Sequence, residues 1–512
     1  MSATNQPNPK LDTKGDRDIC TPNDVEHVKA QEGDLQEGST EKHEPLYCIL
    51  SETEKILTIC TCALVTFLSP IAVSIYLPAL GSMARDIHVS TTKINLTITA
   101  YKIFQAVSPL LTASFSDLNG RRPVIIASLL FFFGSSIALA LQTDFAALLV
   151  LRCVQGFASA SSMVVSGASM IDLVTRGERG KYMLYSSLGT TIGPAIGPTL
   201  GGILTQYLGW RSIFWFLAIT AGVIIITMLL FLRETCRAIV GNGSLAPQSW
   251  NKCALQLLRP ITYTPDHETR VTFRRRPGNV RTLKMLLDRH LALLVLCNST
   301  STCASSAIVN SLTTLLAKNY KLTPLYIGLC YLPFTFGGLS TRWTAGLLAD
   351  RLFRRQARSV GIDVQPNRQS PKQLRRIPLE RARLGLTLPF IYLYCLCVVA
   401  YGWVMDYNVH LAGPLVILFL CGNASGGVSN TINMLAVDLN ADRPASTRAA
   451  MTLVDRLVSA GAVAAVAPLI DLIGIGWVGV ALAALMIIAT PALWTLYFQG
   501  QSWREAQEFE ED

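Results

Sequence analysis

Three places in this 512-residue chain set charge inside apolar sequence. Ser116-Asp117-Leu118-Asn119-Gly120-Arg121-Arg122-Pro123 puts one carboxylate and two guanidinium groups between two long apolar segments. Arg152 stands within Leu148-Leu149-Val150-Leu151-Arg152-Cys153-Val154-Gln155-Gly156, and Asp455 and Arg456 are adjacent in another apolar stretch. Nothing around them is set up for bond-breaking chemistry. No His/Glu set has metal-ligand spacing, no Gly-Lys-Ser/Thr loop could cradle a phosphate, and no serine sits on an elbow motif. What such charges can do is ionic: hold a charged ligand, pass a proton, or tie elements together by pairs that form and break. The expectation is a protein that is no enzyme and holds no metal or cofactor.

The elements that must position these charges lie in a membrane. Half the residues are hydrophobic and 15% are charged, where a soluble domain has roughly 25%. Apolar segments follow at 56–80, 93–115, 123–142, 146–173, 181–208 and 212–232, then at 290–317, 324–347, 386–405, 410–437, 448–474 and 476–498. Each is long enough to span a bilayer, which takes about 20 residues. A damaged copy of the charged turn, Ala349-Asp350-Arg351-Leu352-Phe353-Arg354-Arg355, returns at the matching place in the second half. The chain is therefore expected to be an all-α polytopic membrane protein with 12 transmembrane helices in two pseudo-symmetric six-helix bundles. The expected domains are a disordered cytosolic tail over 1–54, a bundle over 55–232, a basic central loop over 233–289, a second bundle over 290–498 with a basic loop at 348–385, and an acidic tail over 499–512. The thirteen cysteines are scattered without zinc or disulfide-framework spacing.

Lys and Arg fix the orientation, because cytoplasmic loops are enriched in them. With the N-terminus inside, about 28 lie on inner connections and about 5 on outer ones. Both termini are thus expected in the cytosol. The net charge of +10 is located in those inner loops and speaks of the lipid bilayer rather than nucleic acid; a monomer is expected.

Several spans are too polar for lipid-facing helices. The fifth reads Gly189-x-x-x-Gly193-Pro194-x-x-Gly197-Pro198-x-x-Gly201-Gly202. Glycines three and four apart share a face and let another backbone come close, while prolines remove amide donors. Either a hinge that rocks against its partner or a tight static seam fits that pattern. Arg152, with Gln155 on the same face, either lines a watery cavity or reaches for the outer headgroups. Tyr76, Asn95, Gln105, Asn298 and Asn430 add polar groups to an interior surface, though interhelical hydrogen bonds would account for most. Asp455 and Arg456 point about 100° apart on a helix; they fit a proton or substrate site, or an inner gate.

Together the loop Asp117…Gly120-Arg121-Arg122, the segment Arg152…Gln155-Gly156 and the Gly-Pro-rich fifth span resemble the major facilitator superfamily. Ile75-Tyr76-Leu77-Pro78-Ala79-Leu80, Ile94-Asn95-Leu96-Thr97, Gly209-Trp210-Arg211-Ser212-Ile213-Phe214 and Glu234-Thr235-Cys236-Arg237 are similar to its fungal twelve-span drug:proton antiporters of the quinidine-resistance type. The resemblance covers nearly all of 56–498. It implies two bundles rocking about a central site, exporting a small-molecule substrate against inward protons, with the proton gradient as energy source and the plasma membrane as address, a vacuolar one being the alternative. It further implies that Asp117 sits against the N-terminal end of the eleventh helix, that Arg121 or Arg122 meets Asp172, and that these contacts act as a latch, with Asp350 in the second copy. Departures from the pattern are Ala113 and Phe353, each in place of glycine, and Asp455 where relatives often carry arginine. Neutral compounds and organic acids both stay open as substrates; an uptake permease and a membrane sensor fit the residues less well.

Overall fold

The computed structural model describes residues 51–174, 179–241, 245, 248, 251–254, 285–359, 378–440 and 444–511. Among them all regular structure is helical, and each of the twelve predicted segments is helix. α1 (Glu52–Ser74) opens on a capping box between Ser51 and Glu54. A 3-10 turn over Leu77–Ala79 and α2 (Leu80–Asp86) carry the first predicted span past its expected end. α3 (Thr91–Asn119), α4 (Arg121–Leu141), α5 (Phe145–Leu173), α6 (Arg179–Leu208) and α7 (Arg211–Phe231) complete the first half. After the short α8 (Arg237–Val240) come α9 (Arg289–Asn319), α10 (Pro324–Leu329), α11 (Leu332–Ser359), α12 (Leu379–Asp406), α13 (Ala412–Leu439) and α14 (Pro444–Glu511).

α14 is two helices joined without a loop. Gly474, at φ +79° and ψ 159°, makes the only break in its helical backbone, and a left-handed φ suits glycine. The break falls between the eleventh and twelfth predicted segments, so each forms one arm. The predicted tail at 499–512 instead prolongs the second arm to Glu511. It docks at Trp503, whose ring lies 4.1 Å from the Arg289 guanidinium, and at Arg504, 3.6 Å from Glu380.

Among the described residues, eight helices are long and apolar enough to cross a membrane, the last being Ser446–Arg504, which holds both arms of α14. α3, α6 and α11 are richer in polar and small residues. The reason lies in their neighbours: α3 packs on the first arm of α14, and α6 on α10 and α11, so these helices face the other half rather than lipid. Within the first half α1 packs on α6, α3 on α5, and α4 on α5 and α7; in the second, α9 packs on α14, α11 on α13, and α12 on α13 and α14. The two pairing schemes match helix for helix, as a repeated bundle requires. Large side chains such as Phe131, Ile219, Leu396 and Ile488 are left exposed, as a lipid-facing surface demands.

Candidate functional site

Asp144 caps α5 through the amides of Ala146 and Ala147, and two turns on, that helix carries Arg152 inward. The residue is 1% exposed, which rules out a reach to the headgroups. Its guanidinium lies 3.9 Å from the Tyr76 ring centroid and 4.6 Å from that of Tyr101, an arrangement in which aromatic faces offset part of the cost of a buried cation. NH1 donates to Gln155 Oε1 at 2.8 Å, and Gln155 Nε2 donates to Ser136 Oγ at 2.9 Å. Nε and NH2 of Arg152 have no hydrogen-bond partner among the described residues. Tyr76 and Thr97 share a 2.7 Å hydrogen bond, as do Tyr101 and Ser159, while Gln105 Nε2 donates to Ser69 at 3.0 Å. Both rings are thereby fixed in place under the cation.

The second half completes the centre from α9 and the first arm of α14. Asp455 accepts from Asn298 Nδ2 at 2.7 Å and from Ser299 Oγ at 3.3 Å, so it belongs to its own half. Arg456, a third of a turn on, faces the other half, within electrostatic range of Tyr101 and Lys102. Lys102 escaped the sequence reading although it stands between Tyr101 and Gln105. It is buried and donates from Nζ to Ser459 at 2.7 Å, and Ser459 shares a further bond of 2.5 Å with Ser306. That lysine bridges the halves at mid-depth. Its signal was available: a cation in an otherwise uncharged stretch of an apolar segment. Two expected members make no side-chain hydrogen bond to this network among the described residues. Asn95 is buried on α3, where its carbonyl accepts from Thr99, and Asn430 is exposed on α13.

At the end of the bundle that carries the charged turn, Gly120 has φ +103°, and a side chain there would collide with the Glu234 carboxylate. Arg121 pairs with Asp117 at 2.6 Å and, through Nε, with Asp172 at 3.1 Å. Of the two arginines it is thus Arg121 that reaches Asp172; Arg122 NH2 goes to the Leu229 carbonyl at 3.4 Å. Residues 441–443, which precede the helix expected opposite Asp117, and the side chain of Asp350 lie outside the described residues. Glu234, quoted in the sequence only as part of a motif, is the organiser here. Its carboxylate accepts from the amides of Arg121 at 2.8 Å, Arg122 at 3.2 Å, Thr235 at 3.1 Å and Cys236 at 2.9 Å, and from Asn251 Nδ2 at 2.6 Å. An anion at those free amides satisfies donors that the first turn of α4 leaves unpaired. The predicted boundary at 233 therefore cuts through the site, because the start of the central connection folds back onto the turn.

Residues 62–468 match the Major Facilitator Superfamily. The chain belongs to that superfamily. It is 40% identical over 473 residues to the MFS-type transporter clz19 of Cochliobolus lunatus, covering 92% of this chain and 90% of that one. Citrate exporter 1 of Aspergillus niger is 31% identical over 487 residues, covering 93% and 91%. Among solved structures, the human organic anion transporter MFSD10 (TETRAN) superposes with a TM-score of 0.56 at 17% identity, over 87% of this chain and all of that one, a likeness of fold.

In this superfamily member the Gly-Pro-rich helix is a seam with two faces. Side chains at Gly189, Gly193, Gly197 and Gly201 would run into Ala63, Ile71, Ser74 and Ile75 of α1 and its continuation. Gly202 meets Pro324, and Gly328 meets the Pro198 carbonyl, across the halves. At this second end the halves are joined further by Thr313 Oγ1 donating to the Leu77 carbonyl at 3.1 Å and Leu325 N donating to Gln206 Oε1 at 3.2 Å.

Proposed function

We propose that this transporter exports a small organic compound by alternating access, driven by protons moving inward, as a fungal twelve-span antiporter of the quinidine-resistance type. The observation that carries the reading is the charged centre: Arg152 and Asp455, contributed by opposite halves, sit at mid-depth, with the halves joined beyond them at the end remote from Gly120. With both termini in the cytosol, the joined end is the outer one and the compound enters from the inside. Arg152 contacts the substrate. Asp455 takes up the proton, and doing so weakens the pull between it and Arg456, the residue that turns toward the first half. Asp117 latches the inner end when the cavity opens outward, by meeting the N-terminal end of the eleventh predicted helix, and the Arg121–Asp172 pair holds the turn in place for it. The protein works as a monomer in the bilayer without a cofactor, with the plasma membrane as its address.

Inside-out vesicles energised with a proton gradient test this. Uptake of the carried compound into such vesicles is expected for the wild type and is lost, roughly 100-fold or more, in Arg152→Ala. Asp455→Asn is expected to keep exchange of compound for compound but lose the dependence on the gradient. Deleting the gene should raise the intracellular level of the compound; a fall would make this an uptake system.

A further inference from the structure

The centre holds three cations from two halves and one carboxylate. Lys102 and Arg152 are 6% and 1% exposed, and Arg456 stands within electrostatic range of both Lys102 and Tyr101. None of the three forms an ion pair among the described residues. Asp455, the carboxylate in range of Arg456, is already engaged by Asn298 and Ser299. A guanidinium buried in a membrane protein with two of its donor nitrogens unpaired is costly unless a partner arrives. Tyr101 links the group: its ring carries Arg152, Arg456 is in range of its hydroxyl, and Lys102 is its neighbour on α3.

We propose that the compound carried is a polyanion, an organic molecule with at least two carboxylates, one taken by the free edge of Arg152 and another by Lys102 and Arg456. The planar fork of Arg152 suits a carboxylate in a two-bond geometry, and the rings of Tyr76 and Tyr101 supply apolar surface for the body between the two acids. Because Lys102 is held by Ser459 of the opposite half, a second carboxylate competes with an inter-half contact. Occupancy then loosens the halves, which is what a carrier requires of its substrate. The same sign of charge recurs on the way out. At the joined end a cavity of about 470 Å³ opens between α2 and α9, and Arg85, Lys318 and Lys321 line it with no carboxylate among the lining residues. The nearby Asp86 is occupied by Trp210 Nε1 at 2.8 Å and by Arg211 at 3.4 Å. The assignment rests on the export reading for direction alone.

Ligand-induced shifts of the thermal unfolding midpoint of the purified full chain, titrated with one ring skeleton in four charge forms, test it: phthalate, benzoate, dimethyl phthalate and benzyltrimethylammonium. Phthalate is expected to bind at least tenfold more tightly than benzoate, and benzoate more tightly than the ester or the cation. Arg456→Gln and Lys102→Gln should each bring phthalate down to the benzoate level while moving benzoate less than threefold. Equal affinities for the four compounds, preference for the cation, or phthalate binding unchanged in both variants would overturn the assignment. The wild-type order alone decides the matter should either variant fail to fold. Proteoliposomes separate the two readings: phthalate bound in the expected order but moved in neither direction would sink the export reading and leave the charge assignment intact. Expulsion of the cation without phthalate binding would do the reverse.

Discussion

The end of the bundle that carries the charged turn is built twice, and the two versions differ in polarity. In the first half Arg121, at the start of α4, reaches Asp172 at the end of α5 through Nε at 3.1 Å. In the second, Arg383, near the start of α12, reaches Asp438 at the end of α13 through Nε at 3.3 Å. The side chains of the first pair are 4% and 7% exposed, those of the second 11% and 32%, so water screens the second pair far more. Beyond them the signs reverse. Glu234, after α7, binds the start of α4, whereas Arg504, near the end of α14, binds Glu380 at the start of α12. The same fold position is an anion clamp in one half and a cation clamp in the other. The first half is the better tied, so the second is the place where this end yields first.

Breaking each tie in turn measures that difference. Arg121→Gln removes the cation that Asp172 and Asp117 share, and a loss of about 3–5 kcal/mol of stability is expected, visible as a lowered unfolding midpoint and abolished transport. Gly201→Ala drives a methyl group into the Ile75 carbonyl and should cost about 1–3 kcal/mol. On the first arm of α14, Gly461→Ala meets open space and should be neutral or stabilise by up to about 1 kcal/mol. Equal effects of the two alanines on transport would remove the distinction between the seams. Glu234→Gln weakens the clamp on the α4 amides by about 1–3 kcal/mol, read as faster hydrogen exchange at Arg121 and Arg122. Asp438→Asn should cost about 0–1 kcal/mol, and a loss matching that of Arg121→Gln would show the halves to be equally tied.

Much of this was readable in the residues. Apolar segment length gave the helices, and the positive φ at Gly474 lies at the junction that hydropathy marked. Arg152 and Gln155, three apart, had to share a face, and they hydrogen-bond. What the chain did not disclose is rotation and distance. Asn95 and Asn430 were placed inside because amides in apolar runs usually turn inward; Asn95 is buried and Asn430 exposed, since a segment's hydropathy does not fix its rotation about its axis. The Arg383–Asp438 pair was hidden by the insertion that separates Arg383 from the damaged turn at Asp350, so that Phe353 suggested a failed copy whose ion pair in fact survives elsewhere. Glu234 was invisible as a clamp because four of its five partners are backbone amides, which no side-chain pattern announces. For Asp455 and Arg456 the 100° step was known, but only the structure distributes them between the halves.

The two faces of α6 have a mechanical consequence. Four rungs pack it closely against α1 and its continuation, at Gly189, Gly193, Gly197 and Gly201, so a bulkier residue at any of them separates the two helices of one half. Its other face meets α10 at the bare backbone of Gly202 and Gly328, with the side chains of Gln206 and Thr199 reaching Leu325 N and the Gly328 carbonyl beside it. In the proposed carrier, one methyl group on either glycine would alter this crossing between the halves without touching the residues at the charged centre.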